Sequence, residues 1–131
     1  MSIPVLLICK NMGEKDNLKA LLEKDGLYTV TCSSVLADGI EKLVNQPVRV
    51  AIFDHDILDE PQVSALERIR TFSEVPIVIL AKQIGVYAYR RISKMDEMIT
   101  LQRPFQAAIL TALLQRLTAN IDPEKKELPR F

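Results

Sequence analysis

The sequence predicts an α/β protein with a five-stranded parallel, doubly wound sheet covered by helices on both faces, a three-layer α/β/α arrangement. Five segments of strand character alternate with five segments of helical character along the 131 residues, which is typical of a parallel sheet with right-handed crossovers. The strand segments are mostly continuous apolar runs, as expected of strands buried on both faces. Polar residues follow several of these runs, and sites in such sheets lie beyond the carboxyl ends of the strands.

The first repeat consists of an apolar run at residues 4–9 and a helical segment at residues 14–24. The apolar side of that helix comprises Leu18, Leu21 and Leu22, which are spaced three and four positions apart. Gly26 suits the left-handed position that ends a helix.

The second repeat begins with a strand at residues 28–32, which is rich in β-branched residues. Ser33 and Ser34 offer hydroxyls that cap a helix, and residues 45–47 end that helix at a proline. Its predicted apolar side consists of Val35, Ile40, Leu43 and Val44.

The third strand is predicted at residues 48–53 and is followed by Asp54, and the third helix at residues 61–72 starts with a proline suited to a first turn. The fourth strand is the apolar run at residues 76–81, and a short fourth helix covers residues 86–94.

The fifth strand is predicted at residues 98–101 and the fifth helix at residues 104–117. The apolar side expected of this helix consists of Phe105, Ile109, Ala112, Leu113 and Leu117. We therefore expect one domain over residues 1–118, followed by a polar tail or linker over residues 119–131.

Charge and composition exclude several classes of function. Lys plus Arg and Asp plus Glu each number 17, so the formal net charge is zero, and nothing favours nucleic acid or an anionic membrane as a partner. No run reaches the roughly 20 apolar residues of a spanning helix, and no secretory pattern is present at the N-terminus, so a cytoplasmic location is expected. Cys9 and Cys32 are expected to be buried free thiols, with a disulfide or redox pair as the alternative. The lone His55 cannot build a metal site.

Three features within residues 3–117 resemble the receiver domain of two-component response regulators. They are the apolar strand that ends in Asp54, the Pro-led strand at residues 75–81, and Arg103-Pro104-Phe105, which is similar to the family's Lys-Pro-Phe. The resemblance implies a CheY-like (flavodoxin-like) fold, a role in two-component signal transduction or phosphorelay, and Asp54 at the phosphoacceptor position.

The resemblance also implies where the family's other chemical groups should lie. The acidic pair that holds a metal ion falls on Cys9 and Lys10, with Asn11 next, the hydroxyl position falls on Ala81, and the lysine position falls on Arg103. A carboxylate attacking a phosphoryl group needs a cation that neutralises the developing charge, and hard cations need oxygen ligands. No cofactor is therefore expected, Mg²⁺ included, and no enzymatic activity.

We accordingly expect a non-catalytic pseudo-receiver that acts as a protein–protein module within a longer regulatory protein. Asp54 is then a structural carboxylate paired with Lys10 or Arg103. Two alternatives remain open: a phosphorylatable receiver that uses Asp54, and a flavodoxin-like module that binds a small anion or nucleotide. Asp56 and Asp59 are expected to be solvated loop acids, with rescue of a metal site as the alternative.

The expected contact surface is the face formed by the fourth helix, fifth strand and fifth helix, which in receiver domains binds partners or a second copy. Aromatic and arginine residues are enriched at binding hot spots, and the fourth helix carries Tyr87, Tyr89, Arg90 and Arg91. Thr100 stands where the family usually has its aromatic switch residue. We expect a protein partner or a homodimer contact here.

Overall fold

The computed structural model describes residues 2–56 and 60–119. The described residues form the strands β1 (Ile3–Cys9), β2 (Tyr28–Ser33), β3 (Val50–Asp54), β4 (Ile77–Ala81) and β5 (Met98–Gln102). They form the helices α1 (Met12–Glu23), α2 (Leu36–Asn45), α3 (Glu60–Phe72), α4 (Val86–Ile92) and α5 (Ala107–Thr118). The strand order is β2-β1-β3-β4-β5 and every neighbouring pair is parallel, which confirms the predicted fold class.

Alternation along the strands divides the interior into two cores. In β1, Leu6 and Ile8 face the core under α2, α3 and α4, whereas Val5, Leu7 and Cys9 face the core under α1 and α5. Both faces of the central strands are therefore buried, which explains why these strands read as continuous apolar runs.

Two glycines meet local demands of the backbone. Gly26 has a φ of 73° and ends the first helical unit as predicted, because glycine adopts this conformation without strain. Gly39 lets α2 approach β1 closely. A Cβ at this position would lie 2.7 Å from Cγ1 of Ile8 and would overlap its Cδ1.

The start and the apolar side of α2 differ from the prediction. Val35 is the N-cap residue and no side chain caps it, while Ser33 belongs to β2 and its hydroxyl donates to Asp38 and to the carbonyl of Val35. Val35 and Val44 are 57% and 62% exposed. The side that packs on the core instead follows the partly buried Leu36, Ile40 and Leu43, because this spacing of four and three keeps side chains on one side of a helix.

The position of α5 is also a correction. It begins at Ala107 rather than at Pro104, and its fully buried residues are Leu110, Leu114 and Thr118. Phe105, Leu113 and Leu117 are partly buried against the same core, but Ile109 and Ala112 are exposed. Most of this helix is apolar around its circumference, so periodicity alone does not fix which side is buried. Other element boundaries differ from the prediction by one or two residues.

Side chains cover the outer edge of β2. Glu23 accepts a hydrogen bond from the N–H of Val30 at 2.9 Å, and Lys19 donates to the carbonyl of Val30 at 3.4 Å. Lys42 donates to the carbonyl of Cys32 at 3.1 Å. These bonds occupy backbone groups that an edge strand otherwise offers to another chain.

Cys9 is buried and Cys32 is half-buried, and both are free thiols as expected. In the part of the chain that the structure describes, no helix has the length and apolar character needed to cross a bilayer. The predicted tail falls almost wholly on residues 120–131, which lie outside the described ranges.

Candidate functional site

The carboxyl ends of β1, β3 and β5 bring Cys9, Asp54 and Arg103 together. Cys9 pairs in register with Asp54, the last residue of β3. Arg103 follows β5 and is fixed by a 2.8 Å bond from its N–H to the carbonyl of Ala81. The topology therefore places residues that are about 45 to 50 positions apart in the chain around one carboxylate.

Arg103 engages both oxygens of Asp54. Nη2 lies 2.8 Å from Oδ2 and Nε lies 3.2 Å from Oδ1, and the two side chains are 17% and 11% exposed. Glu14 adds a second carboxylate at 3.3 Å from Nη2, and the guanidinium lies over the ring of Phe105 at 5.1 Å from its centroid. Such paired bonds hold the guanidinium in one orientation as well as stabilising the ion pair.

The pKa of Arg103 reflects two opposed effects. Partial burial acts to lower it, but the hydrogen bonds and charge of Asp54, with a contribution from Glu14, raise the pKa above its usual value. The guanidinium therefore stays charged at every physiological pH, and the ion pair cannot be released by its deprotonation.

The thiol of Cys9 completes the surroundings of Asp54. It donates to Oδ2 of Asp54 at 3.2 Å and to the carbonyl of Asn11 at 3.3 Å. Burial raises the pKa of this thiol to about 12, helped by the hydrogen bond to Asp54 and by its charge. Cys9 is therefore a protonated donor at neutral pH and neither a nucleophile nor a thiolate ligand.

These residues do not fit the divalent cation that the receiver fold implies. Both oxygens of Asp54 already accept bonds from Arg103 and Cys9, and the thiol offers a proton rather than a lone pair. Among residues 2–56 and 60–119, no cluster of three His, Cys, Asp or Glu side chains is arranged to hold a metal ion.

Lys10 does not make the ion pair that was predicted as one alternative for it, and Asn11 caps a helix. Lys10 forms no ion pair with Asp54 or Asp56 and is exposed, because it follows the residue that faces Asp54 and its side chain extends into solvent. The pairing predicted for Asp54 is thus made by Arg103 and not by Lys10. Asn11 is the N-cap of α1, and its Oδ1 accepts from the N–H of Glu14 at 2.9 Å.

Asp56 is not the solvated loop acid that the sequence led us to expect. It is half-buried, and its Oδ1 accepts from two consecutive backbone N–H groups, those of Lys82 at 2.8 Å and Gln83 at 3.1 Å. Asp56 therefore ties the loop after β3 to the loop after β4. Asp59 lies outside the described residues.

His55 is packed rather than free in the loop. Its ring stacks on Phe53 at 5.6 Å, and Nδ1 lies 2.7 Å from the carbonyl oxygen of Asp56.

The aromatic and arginine residues of α4 divide into two groups. Tyr87 and Tyr89 are 67% and 51% exposed, and Arg90 is exposed as well. Arg91 is bound to Glu67 of α3, with Nε 3.1 Å from Oε2, and its guanidinium lies over Tyr87. Tyr87, Tyr89 and Arg90 therefore form the exposed part of the predicted patch, whereas Arg91 stabilises the contact between α3 and α4.

Sequence reasoning did not identify a cleft of about 400 Å³ between α4 and β5. Its lining includes Ala81, Lys82, Ile84, Tyr89, Thr100 and Gln102. The small side chains at Ala81 and Thr100, on adjacent strands, were the available signal. A second cleft of about 250 Å³ lies over Asp54 and is bordered by Lys10, Lys82 and Arg103.

Solved receiver domains superpose on almost the whole chain. A two-component response regulator from Clostridium difficile has a TM-score of 0.78 at 16% identity, over 92% of this chain and 99% of that one. A CheY-like receiver domain from Methanospirillum hungatei JF-1 has a TM-score of 0.75 at 18% identity, over 97% and 99%. The receiver domain of a signal transduction histidine kinase from Syntrophus aciditrophicus has a TM-score of 0.76 at 14% identity, over 99% and 100%.

No family model matches the chain, and no curated protein matches it. Identities of this size carry the fold and not the function. The chain has the CheY-like receiver fold.

Proposed function

We propose that this chain is a receiver-like signalling module that works without phosphorylation and without enzymatic activity. Its output is a constant protein–protein contact through the face formed by α4, β5 and α5. The observation that carries the proposal is the two-point ion pair between Arg103 and Asp54, with its 2.8 and 3.2 Å bonds.

Phosphorylation of Asp54 would require one of its oxygens to attack a phosphoryl group. Both oxygens are engaged by a cation that does not deprotonate, and one also accepts the Cys9 thiol. The attack would break these bonds at a side chain that is only 11% exposed, at a cost in activation free energy. Ala81 offers no hydroxyl to the transferred group. These features together favour a resting carboxylate over a phosphoacceptor.

The same bonds favour a single conformation of the contact face. Arg103 fixes the end of β5 against Asp54, and Asp56 fixes the loop that leads from β4 into α4. Both ties depend on groups that belong to the chain itself. We therefore infer that the face is presented continuously and is regulated by the presence of its partner.

The rival function is a phosphorylatable receiver that uses Asp54. One observation favours it: Asp54 borders an open cleft of about 250 Å³ that gives a phosphorylated donor access, and Lys10 and Lys82 lie in its lining together with Glu14 and Asp56. The two functions make opposite predictions for the same experiment.

The test is an NMR titration of the ¹⁵N-labelled protein with Mg²⁺ and beryllofluoride, followed by incubation with acetyl phosphate. We expect the amide spectrum to stay unchanged and no acid-labile phosphate to appear. Chemical shift changes that disappear in Asp54→Asn would establish the rival function and overturn the proposal.

A restored variant serves as the positive control. It combines Cys9→Asp, Lys10→Asp, Ala81→Thr and Arg103→Lys, the residue types that the receiver pattern has at these positions. This variant is expected to respond to beryllofluoride with Mg²⁺, which would show that the silence of the natural chain comes from these four positions.

A further inference from the structure

We propose that the free edge of β5 accepts an extended, acidic segment of a partner protein as an added strand. This inference rests on the proposed function, because it specifies how the α4–β5–α5 face holds its partner. Addition of a strand to an exposed sheet edge is an established mode of peptide recognition, in which main-chain bonds supply affinity and side-chain pockets supply specificity.

The direction of the β5 backbone follows from the bonds at its two ends. Ile77 donates to the carbonyl of Glu97 at 2.9 Å, and Arg103 donates to the carbonyl of Ala81 at 2.8 Å. Because backbone groups alternate in direction along a strand, the odd-numbered residues bond β4. The N–H and C=O groups of Met98, Thr100 and Gln102 therefore point away from the sheet.

These outward groups have no hydrogen-bond partner among residues 2–56 and 60–119. The opposite edge is different, since Lys19 and Glu23 bond the outward C=O and N–H of Val30 and Lys42 bonds the carbonyl of Cys32. One edge of the sheet is thus partly covered by the chain's own side chains and the other is left available. An edge strand in this state is a template for another chain.

The charge beside the open edge specifies the kind of segment. Neither α4 nor α5 contains an acidic residue, although the chain as a whole has zero net charge. Arg90 on α4 and Arg116 on α5 are exposed, and Lys82 and Lys94 lie exposed just before and just after α4. The acidic residues of this region, Asp96 and Glu97, precede the amino end of β5. Of these cations, Lys82 lines the cleft beside Thr100 and Gln102, so an acidic segment complements the carboxyl half of the edge.

The cleft of about 400 Å³ between α4 and β5 adds a side-chain site to the backbone template. Ile84 and Tyr89 give it an apolar wall, and Thr100 places a small side chain in its lining. Alternate residues of an added strand point toward the α4 side of the sheet. One apolar or aromatic side chain of the segment would enter the cleft while its neighbours expose carboxylates to the flanking cations.

The test is a selection from a displayed library of random decapeptides with the intact protein as bait, followed by synthesis of the strongest binder. We expect binders to be acidic, free of proline, and alternating between apolar and polar residues. Single amide nitrogens along the synthetic peptide are then methylated one at a time. Methylation at every second position should weaken binding about tenfold or more, because only alternate residues bond β5. Methylation at the intervening positions should have little effect. This readout leaves the protein unchanged.

Protein variants provide an independent readout. Thr100→Pro removes one outward N–H and should weaken peptide binding about tenfold, whereas Thr100→Ala keeps the N–H and should stay within about threefold. Arg90→Glu should weaken binding about threefold and reduce its salt dependence. Arg68→Glu, which changes an exposed arginine of α3, should have no effect.

Several results would overturn strand addition to β5. In the selection, these results are an absence of binders, binders without an excess of acidic residues, and binders whose apolar residues have helical spacing. In the other measurements, they are a methylation profile without two-residue periodicity and a dimer of the protein that dissociates on Thr100→Pro. The experiment contains no metal or phosphate, so it is separable from the test of Asp54. If beryllofluoride leaves the NMR spectrum unchanged and the selection yields no binders, strand addition to β5 is refuted while the proposal of an unphosphorylated module is retained.

Discussion

Replacement of Arg103 by methionine should destabilise the protein by about 2 to 3 kcal/mol. The change removes two charge-assisted hydrogen bonds to Asp54, each worth about 1.5 to 3 kcal/mol. Asp54 is only 11% exposed, so solvent replaces these bonds incompletely. The expected loss lies at or below the low end of the summed range of about 3 to 6 kcal/mol, because the cleft admits water and the thiol of Cys9 still donates to Oδ2.

The measurement is urea unfolding followed by circular dichroism for the single variants Arg103→Met and Asp54→Asn and for the double variant. A coupling free energy of about 1.5 to 2.5 kcal/mol is expected from this cycle. The double variant should regain much of the loss, because removal of both charges leaves no buried carboxylate without a partner. Arg68→Met serves as the matched control and should fall within about 0.5 kcal/mol of the natural chain.

Arg103→Lys separates charge from geometry. Lysine keeps the positive charge but loses the two-point contact, so about half of the destabilisation is expected. A coupling free energy below about 0.5 kcal/mol would refute the role assigned to the pair, since an interaction that weak is typical of exposed ion pairs.

Three further changes test the packing and the covered edge. Gly39→Ala should destabilise the protein by about 1 kcal/mol, because overpacking against the core outweighs the gain in helix propensity. The control Gly13→Ala meets only ordinary contacts and should not destabilise. Equal effects of the two changes in urea unfolding would contradict the close approach of α2 to β1. Tyr28→Phe should leave stability unchanged or raise it by up to about 1 kcal/mol, because the buried hydroxyl has no hydrogen-bond partner among the described residues. A clear loss of stability would mean that the hydroxyl is bonded. The hydrogen bond from Val30 lowers the pKa of Glu23 from its ordinary 4.5. This carboxylate therefore stabilises the fold above pH 4.5, and its contribution is lost as the pH falls through the lowered pKa. Glu23→Gln should lose less stability between pH 5 and 3 than the natural chain does, and identical stability profiles of the two proteins would exclude this contribution.

The order of elements and the type of sheet could be predicted because buried parallel strands and amphipathic helices leave different periodicities in a sequence. The apolar sides of α2 and α5 were harder to predict. Ile109 is as apolar as the buried Leu110, and only the packing against the sheet distinguishes them.

The site was predicted in outline and not in its pairings. The sequence placed Asp54 near both Lys10 and Arg103, but the choice between them depends on the register that sets Cys9 beside Asp54. The role of Asp56 depends on two backbone N–H groups that follow a different strand. Backbone donors leave no signal in residue identity, so this tie could not be read from the sequence.

The covered edge of β2 determines how many molecules can join through this sheet. Growth of a fibre by edge pairing requires each molecule to offer two free edges, one for each neighbour. Lys19, Glu23 and Lys42 bond part of the backbone of one of the two. Pairing of strands through β5 therefore favours a single addition over a growing fibre, because of bonds on the far side of the molecule.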